Sequence, residues 1–143
     1  MFEKFNDLSK NKILLLDGAM GTMIQRLKLN ENDFKGESFK NWKKPLIGNN
    51  DILNLSKGNV IYDIHTEFLE SGSDILETNT FNSTKISQAD YGTEEFSYDL
   101  NFEGARLARK AVDDFLIRNP GEVRFVAGVL GPTNRTCSMS PDV

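Results

Sequence analysis

Three short apolar runs occur along the chain, and each one gives way to polar residues. The first run, residues 13–16, reads Ile-Leu-Leu-Leu and stops at Asp17. A second short strand is predicted at residues 74–78, around the apolar pair Ile75 and Leu76, and a third apolar run occupies residues 124–130. A continuous apolar run is typical of a strand that is buried on both faces of a sheet. The pattern therefore predicts three buried strands.

The segments between these runs carry apolar residues at spacings of three and four, which is the helical period. This period extends over residues 19–27, 56–69 and 94–118, and a short helical stretch is also expected at 86–89. Helices that alternate with strands predict parallel strands covered on both faces. The fold class indicated by the pattern is therefore α/β.

Residues 28–54 lack a regular period and are rich in Asn, Lys and Gly. A loop of this length inside a compact domain is uncommon. The segment also contains Phe34, Phe39 and Trp42, and disordered linkers rarely hold so many large aromatic side chains. We therefore predict an ordered excursion whose aromatic residues form its hydrophobic underside.

Polar residues follow each predicted strand at its carboxyl end. Asp17 ends the first strand, Glu77, Thr78 and Asn79 end the second, and residues 133–136 follow the third. In parallel sheets and barrels this edge is where ligands bind. The clustering predicts a binding site there, although Thr and Asn are also ordinary turn residues.

Composition excludes several classes of protein. The chain has 143 residues, which is the size of one domain, and its 17 basic and 21 acidic residues give a net charge of −4. A sequence pI near 5.0 argues against a nucleic-acid binder, since that class carries a basic surface. No apolar run approaches the length of a membrane span, and the first residues lack a signal-peptide pattern. We therefore expect no nucleic-acid partner, no membrane partner and a cytoplasmic location.

Cys137 and His65 are the only cysteine and histidine. One of each cannot form a disulfide or a zinc site built from three or four Cys and His ligands. His65 lies at the margin of a helix's apolar face and is interpreted as a helix-surface or helix-packing residue. Cys137 is interpreted as an inert loop residue, so neither Cys137 nor His65 is predicted to be a metal ligand or a catalytic residue.

The chemistry of the strand ends leaves alternatives open. The segment Asp17-Gly18-Ala19-Met20-Gly21 opens a helix, where glycines allow a tight turn and exposed N–H groups attract an anion or an amino acid. An ordinary turn in which Asp17 caps the helix fits equally well. Glu77 is either a ligand contact or the ion-pair partner of a loop Arg or Lys. Neutral Thr and Asn side chains suit a small polar substrate.

Four motifs follow one another in a specific order: Asp17-Gly-Ala-Met-Gly-Thr-Met-Ile-Gln25, Gly48-Asn-Asn-Asp51, Glu77-Thr-Asn-Thr-Phe-Asn-Ser-Thr84 and Val126-Ala-Gly-Val-Leu-Gly-Pro-Thr-Asn-Arg-Thr136. Together they resemble the N-terminal, homocysteine-binding module of cobalamin-dependent methionine synthase. The excursion, with Phe34-Lys35-Gly36-Glu37 and Trp42, also resembles this family more than its betaine-dependent or S-methylmethionine-dependent relatives.

The resemblance implies a (β/α)₈ TIM barrel and a methyltransferase. In such an enzyme, zinc held by three cysteines binds the homocysteine sulfur, and the thiolate takes a methyl group from methylcobalamin to give methionine. A separate methyltetrahydrofolate module recharges the cobalamin. The resemblance also implies a homocysteine pocket, whose residues would be Asp17, Gly18, Ala19, Met20, Gly21, Glu77, Thr78, Asn79 and Asn134.

Residues 1–143 would then be the N-terminal portion of the domain, with about three of the eight β/α units. The family's zinc cysteines lie further along, so we expect this chain alone to bind neither zinc nor cobalamin and to be inactive. Two alternatives remain. One is a homocysteine S-methyltransferase with another methyl donor, betaine or S-methylmethionine. The other is a non-catalytic subunit that completes a barrel with another chain.

Overall fold

The computed structural model describes residues 2–133 and residue 135, with the side chain of residue 2 left out. Its α-helices are α1 (Phe2–Asn11), α2 (Met20–Arg26), α3 (Glu31–Lys35), α4 (Leu53–Ser56), α5 (Gly58–Glu70), α6 (Lys85–Gln88) and α7 (Ser97–Arg118). Its strands are β1 (Ile75–Glu77) and β2 (Phe125–Ala127), and short 3₁₀ turns cover Asn50–Ile52, Ala89–Tyr91 and Glu94–Phe96. Of the helices in this part of the chain, none combines the length and the apolar character needed to cross a lipid bilayer.

The sheet is parallel and follows the order of the chain. β1 and β2 pair in parallel, with Ile75 opposite Phe125. On the other side of β1, Leu16 forms a parallel bridge to Ile75, and the Asp17 N–H donates to the Ile75 carbonyl at 2.9 Å. Three lines of backbone therefore lie side by side, which agrees with the predicted alternation of helices and parallel strands.

The prediction that residues 13–16 are buried on both faces is wrong. Ile13 is 86% exposed, and Leu15 and Leu16 are more than half exposed. β1 lies against this segment along one edge, and no element in the described chain packs over these three side chains. The apolar composition of this segment is that of a buried strand, but none of the described residues buries these three side chains.

The core lies between the sheet and the two longest helices. α5 and α7 pack against each other, and α5 also contacts β1. Ile61, Ile64, Leu100 and Leu107 belong to a buried cluster that extends into the excursion. A second cluster forms beneath the sheet, and its buried members are Leu69, Leu76, Ala111, Val112 and Phe115.

The excursion over residues 28–54 is ordered, as predicted. Phe34 and Phe39 are buried, and the Phe39 ring makes edge contacts with Trp42 and Phe96 at centroid distances of 5.9 and 5.2 Å. The Trp42 indole Nε1–H donates to the Tyr91 carbonyl at 3.0 Å. These aromatic side chains fasten the excursion to the rest of the domain. The helices α1, α3 and α4 were not predicted, although in α1 the apolar residues Phe2, Phe5 and Leu8 recur at a spacing of three.

A buried charge cluster fixes the amino ends of the strands. Asp74 accepts from Lys12 Nζ at 2.6 Å and from the Leu15 N–H at 3.0 Å, and the Arg124 guanidinium lies 3.7 Å from its carboxylate. The Phe5 ring of α1 meets Phe125 of β2 edge-on at 5.3 Å. This charge cluster therefore occupies the amino ends of the strands. Asp17 and residues 77–79 lie at the opposite, carboxyl ends.

Candidate functional site

A cavity of about 310 Å³ opens at the carboxyl ends of the three strand lines. This volume falls at the lower end of the range found for small-molecule sites. The predicted site residues that line it are Asp17, Gly18, Met20, Gly21, Glu77, Thr78 and Asn79. The structure therefore brings the first and second polar clusters together in one place.

One predicted residue, Ala19, does not line this cavity. Ala19 is exposed and is the residue that precedes α2, so its neighbours Gly18 and Met20 reach the cavity while it does not. Asn134 lies outside the described residues.

Asp17 connects the first strand end to the second. Its Oδ1 accepts a hydrogen bond from the Glu77 backbone N–H at 3.0 Å. The residue before α2 is Ala19, and no side chain caps that helix. The alternative in which Asp17 serves as a helix cap is therefore wrong, because its carboxylate is committed to the neighbouring strand.

Burial raises the pKa of the Asp17 carboxyl to about 6. Hydrogen bonds from the backbone N–H groups of Glu77 and Asp17 oppose this shift, while the nearby Glu77 charge adds to it. A carboxylate that is desolvated and next to a like charge gains most from a bound cation. Asp17 thus has the electrostatic character of a ligand-binding group.

The first motif makes a tight turn, since the Met20 N–H donates to the Gly18 carbonyl at 2.8 Å, but its two glycines are not needed for it. Neither Gly18 nor Gly21 has a positive φ, and Gly21 lies inside α2. A Cβ at Gly18 would lie 3.7 Å from the Phe68 ring, and one at Gly21 would lie 3.5 Å from Asn50 Nδ2. Both are ordinary contacts, so the fold itself does not require glycine here.

Glu77 forms no ion pair with any residue that the structure describes. Of its two interpretations, the ion-pair partner of a loop Arg or Lys has no support from these residues. The cavity is lined by the carboxylates of Asp17, Asp51 and Glu77, and no Lys, Arg or His is among its described lining residues. Its charge favours a cationic group and disfavours an isolated anion.

Thr78 and Asn79 line the cavity while their polar groups hold the protein together. The Thr78 hydroxyl accepts from the Val129 N–H at 3.0 Å and shares a 2.7 Å hydrogen bond with Thr80. The Asn79 amide donates to the Asn50 carbonyl at 2.9 Å and to Asn54 Oδ1 at 3.1 Å. These contacts join the strand ends to the excursion and to the segment that follows β2, so the polar groups of Thr78 and Asn79 are engaged within the protein.

Sequence reasoning did not assign five of the lining residues, namely Asn50, Asp51, Phe81, Asn82 and Val129. Each belongs to a motif quoted above, and Val129 also lies in the predicted third strand, but none was among the predicted site residues. Asp51 shows how they meet, since its Oδ2 accepts from the Asn82 N–H and the Ser83 hydroxyl, each at 2.7 Å. This contact holds the excursion against the loop that follows β1.

Among residues 2–133 and 135, no group of three or more His, Cys, Asp and Glu side chains could hold a metal ion. His65 is fully buried in α5, and neither ring nitrogen has a hydrogen-bond partner among these residues. It is a packing residue that does not line the cavity, and Cys137 falls outside the described residues.

Comparisons with known proteins bear on this site. A family model for homocysteine S-methyltransferase matches residues 14–143. Crystal structures of the homocysteine methyltransferase MmuM from Escherichia coli are similar to this chain. The metallated form is 26% identical with a TM-score of 0.68, the oxidised form 28% with 0.68, and the apo form 25% with 0.62.

These matches cover most of this chain but a minor part of the relatives. The three MmuM structures align with 88%, 87% and 91% of this chain. The same alignments cover 40%, 39% and 40% of the MmuM chain. Homocysteine methyltransferase domains are TIM barrels, so the predicted fold class is confirmed, and the parallel α/β units described here form part of such a domain.

Proposed function

This chain belongs to the homocysteine S-methyltransferase family, and we propose that it is the homocysteine-binding portion of a cobalamin-dependent methionine synthase. The complete enzyme would transfer a methyl group from methylcobalamin to the homocysteine thiolate and release methionine. The observation that carries the proposal is the acidic cavity at the carboxyl ends of the strands, which Asp17 and Glu77 both line.

The cavity has the chemistry that an amino-acid thiol requires. The α-ammonium group of homocysteine would bind between the Asp17 and Glu77 carboxylates, where it offsets two negative charges that lack a cation among the described residues. Met20, Phe81 and Val129 supply apolar wall against which the methylene groups of the ligand would pack. Gly18, Gly21, Thr78 and Asn79 shape the same cavity, and Ala19 and Asn134 remain proposed members of the site.

The hydrogen bond from the Glu77 N–H fixes the Asp17 carboxylate before the ligand arrives. A binding group that is already oriented loses less conformational entropy when the ligand binds. The described residues would therefore hold and orient homocysteine by its amino-acid end, so that its sulfur points away from the acidic wall.

The proposal implies zinc and cobalamin as cofactors of the complete enzyme. Coordination to zinc deprotonates a thiol that would otherwise be largely protonated at neutral pH. The described residues do not fit a zinc ion, because they contain no group of metal ligands. We therefore derive no step through zinc or cobalamin from them and assign to this chain the binding of homocysteine. Partner modules that carry methylcobalamin and methyltetrahydrofolate are part of the proposal.

The choice of methyl donor rests on the excursion, whose residues 34–37 and 42 resemble the cobalamin-dependent family. The full-length protein tests this choice when it is offered homocysteine with methylcobalamin, betaine or S-methylmethionine in parallel, with methionine measured by mass spectrometry. Methionine from methylcobalamin alone supports the proposal. Methionine from betaine or S-methylmethionine would assign the protein to another branch of the family.

The proposed binding site is tested on this chain by isothermal titration calorimetry. L-homocysteine should bind the unsubstituted chain, and Asp17→Asn should weaken the affinity about tenfold or more, because hydrogen bonds to charged groups are the stronger ones. Glu31→Gln is a matched control, since Glu31 binds the Leu46 and Ile47 N–H groups away from the cavity. Equal affinities for all three proteins would contradict the assignment of Asp17.

A further inference from the structure

Asp51 is a buried carboxylate that uses only half of its hydrogen-bonding capacity. The residue is 2% exposed and lies in the 3₁₀ turn Asn50–Ile52. Both contacts of its side chain, to the Asn82 N–H and the Ser83 hydroxyl, engage Oδ2 at 2.7 Å. The second oxygen, Oδ1, accepts no hydrogen bond from any residue that the structure describes.

This free oxygen belongs to a residue that lines the same cavity as Asp17 and Glu77. Oδ1 is not among the fully enclosed side-chain atoms that lack a partner in the described structure, so it is accessible and can accept a hydrogen bond from a ligand. Burial also raises the pKa of the Asp51 carboxyl, and the hydrogen bonds from Ser83 and Asn82 oppose that shift. The site is thus built so that Oδ1 gains from a ligand that donates a hydrogen bond.

We infer that Asp51 is a further substrate-binding residue, whose Oδ1 accepts a hydrogen bond from the α-ammonium group of the ligand. The inference rests on the proposed function. A primary ammonium has three N–H donors, and the cavity presents carboxylates from three separate segments, namely the first strand end, the excursion and the second strand end. Asp51 would make the site selective for a ligand with a free primary amine.

Asp51→Asn separates this role from a structural one. The asparagine oxygen can take the place of Oδ2 and accept from both Asn82 and Ser83, so the loop contact is kept. The amide NH₂ group then occupies the position of Oδ1 and presents donors to the ammonium instead of an acceptor. The matched control is Ser83→Ala, because Ser83 contacts Oδ2, does not line the cavity, and leaves Oδ1 unchanged.

Calorimetric titrations with L-homocysteine and with 4-mercaptobutanoate, which lacks the amino group, test the inference on this chain. We expect Asp51→Asn to weaken homocysteine binding at least about tenfold and not to weaken 4-mercaptobutanoate binding, because the substitution removes a negative charge that disfavours this anionic ligand. Ser83→Ala should keep the unsubstituted chain's preference for homocysteine, even where thermal unfolding shows a lower melting temperature.

The outcomes distinguish this inference from the proposed function. If the unsubstituted chain binds no homocysteine at millimolar concentration, both fail. If it binds and Asp51→Asn weakens both ligands to the same degree, Asp51 only positions the loop and the inference is wrong, while the proposed function stands. Unchanged homocysteine binding in Asp51→Asn would overturn the inference in the same way.

Discussion

Asp17 and Glu77 are joined across two adjacent strand ends, with the Glu77 backbone N–H donating to Asp17 Oδ1 at 3.0 Å. This contact places two carboxylates side by side in one cavity, where burial and the Glu77 charge raise the pKa of Asp17. The fold thus maintains an unfavourable pair of charges that a bound cation would stabilise. Energetically costly arrangements of this kind concentrate at functional sites.

Homocysteine binding should weaken as the solution becomes acidic. Asp17 has a pKa of about 6, so it is ionised at pH 7 and protonated at pH 5, where it no longer attracts an ammonium group. We expect the affinity to fall toward tenfold per pH unit below the pKa, measured by calorimetry between pH 5 and 8. Asp17→Asn should bind more weakly and show a shallower slope. If the affinity of Asp17→Asn for homocysteine depended on pH as steeply as that of the unsubstituted chain, a group other than Asp17 would be responsible for the pH dependence.

His65 should make the folded state sensitive to acid. Burial lowers the pKa of His65 from 6.5 to about 4, so below pH 6.5 the unfolded chain binds a proton that the folded chain excludes. Stability is therefore lost as the pH falls, by about 2 kcal/mol between pH 7 and 5. Urea unfolding of the unsubstituted chain and of His65→Leu at both pH values measures the effect. If the two proteins lost equal stability, the buried histidine would not be its source.

Asp74→Ala should destabilise the domain strongly. The substitution removes the partner of Lys12 and the acceptor of the Leu15 N–H, and it leaves the buried Arg124 with less compensation. Breaking a buried ion pair on one side costs about 3 kcal/mol or more. The matched control is Asp113→Ala, whose partner Arg109 and own side chain are both exposed, with an expected cost below about 1 kcal/mol. Similar urea midpoints for the two variants would contradict the structural role of Asp74.

Gly104→Ala should lower stability although alanine favours helices. A Cβ at Gly104 in α7 would lie 2.6 Å from Thr80 Cγ2 and 2.8 Å from Asn54 Nδ2, closer than atoms can approach. Asn54 donates to the carbonyl of Asn79 at 2.8 Å, and Asn79 lines the cavity. A displaced Asn54 would therefore disturb a cavity-lining residue. We expect a cost of about 1–3 kcal/mol in chemical denaturation. Gly21→Ala in α2, which meets only an ordinary contact, should be neutral or stabilising toward unfolding.

The sequence was sufficient to predict the strand ends and the residues that follow them. An apolar run that stops at Asp17 and another that stops near Glu77 place both carboxylates at one edge of a parallel sheet, and the structure brings them together. Asp51 gave no such signal. Its segment has no hydrophobic period, and it reaches the cavity through contacts with Asn82 and Ser83, about thirty residues away along the chain.

The local sequence pattern also could not predict whether the first strand is buried. The run at residues 13–16 has the composition of a covered strand, but burial depends on which other elements lie against its faces. Likewise, the predicted turn at Gly18 forms, but neither Gly18 nor Gly21 has a positive φ that would require glycine there. Periodicity encodes the local conformation of a segment, and the packing partners of that segment are a property of the whole domain.

Trp42 is the only tryptophan in the chain, and it lies where the excursion meets the helical layer, in edge contact with Phe39 and Phe96. Its indole N–H is bonded to the Tyr91 carbonyl. The intrinsic fluorescence of the protein at tryptophan wavelengths therefore comes from a single ring at the base of the segment that delivers Asp51 to the cavity. A red shift of its emission would report the release of that segment, without a label and ahead of global unfolding.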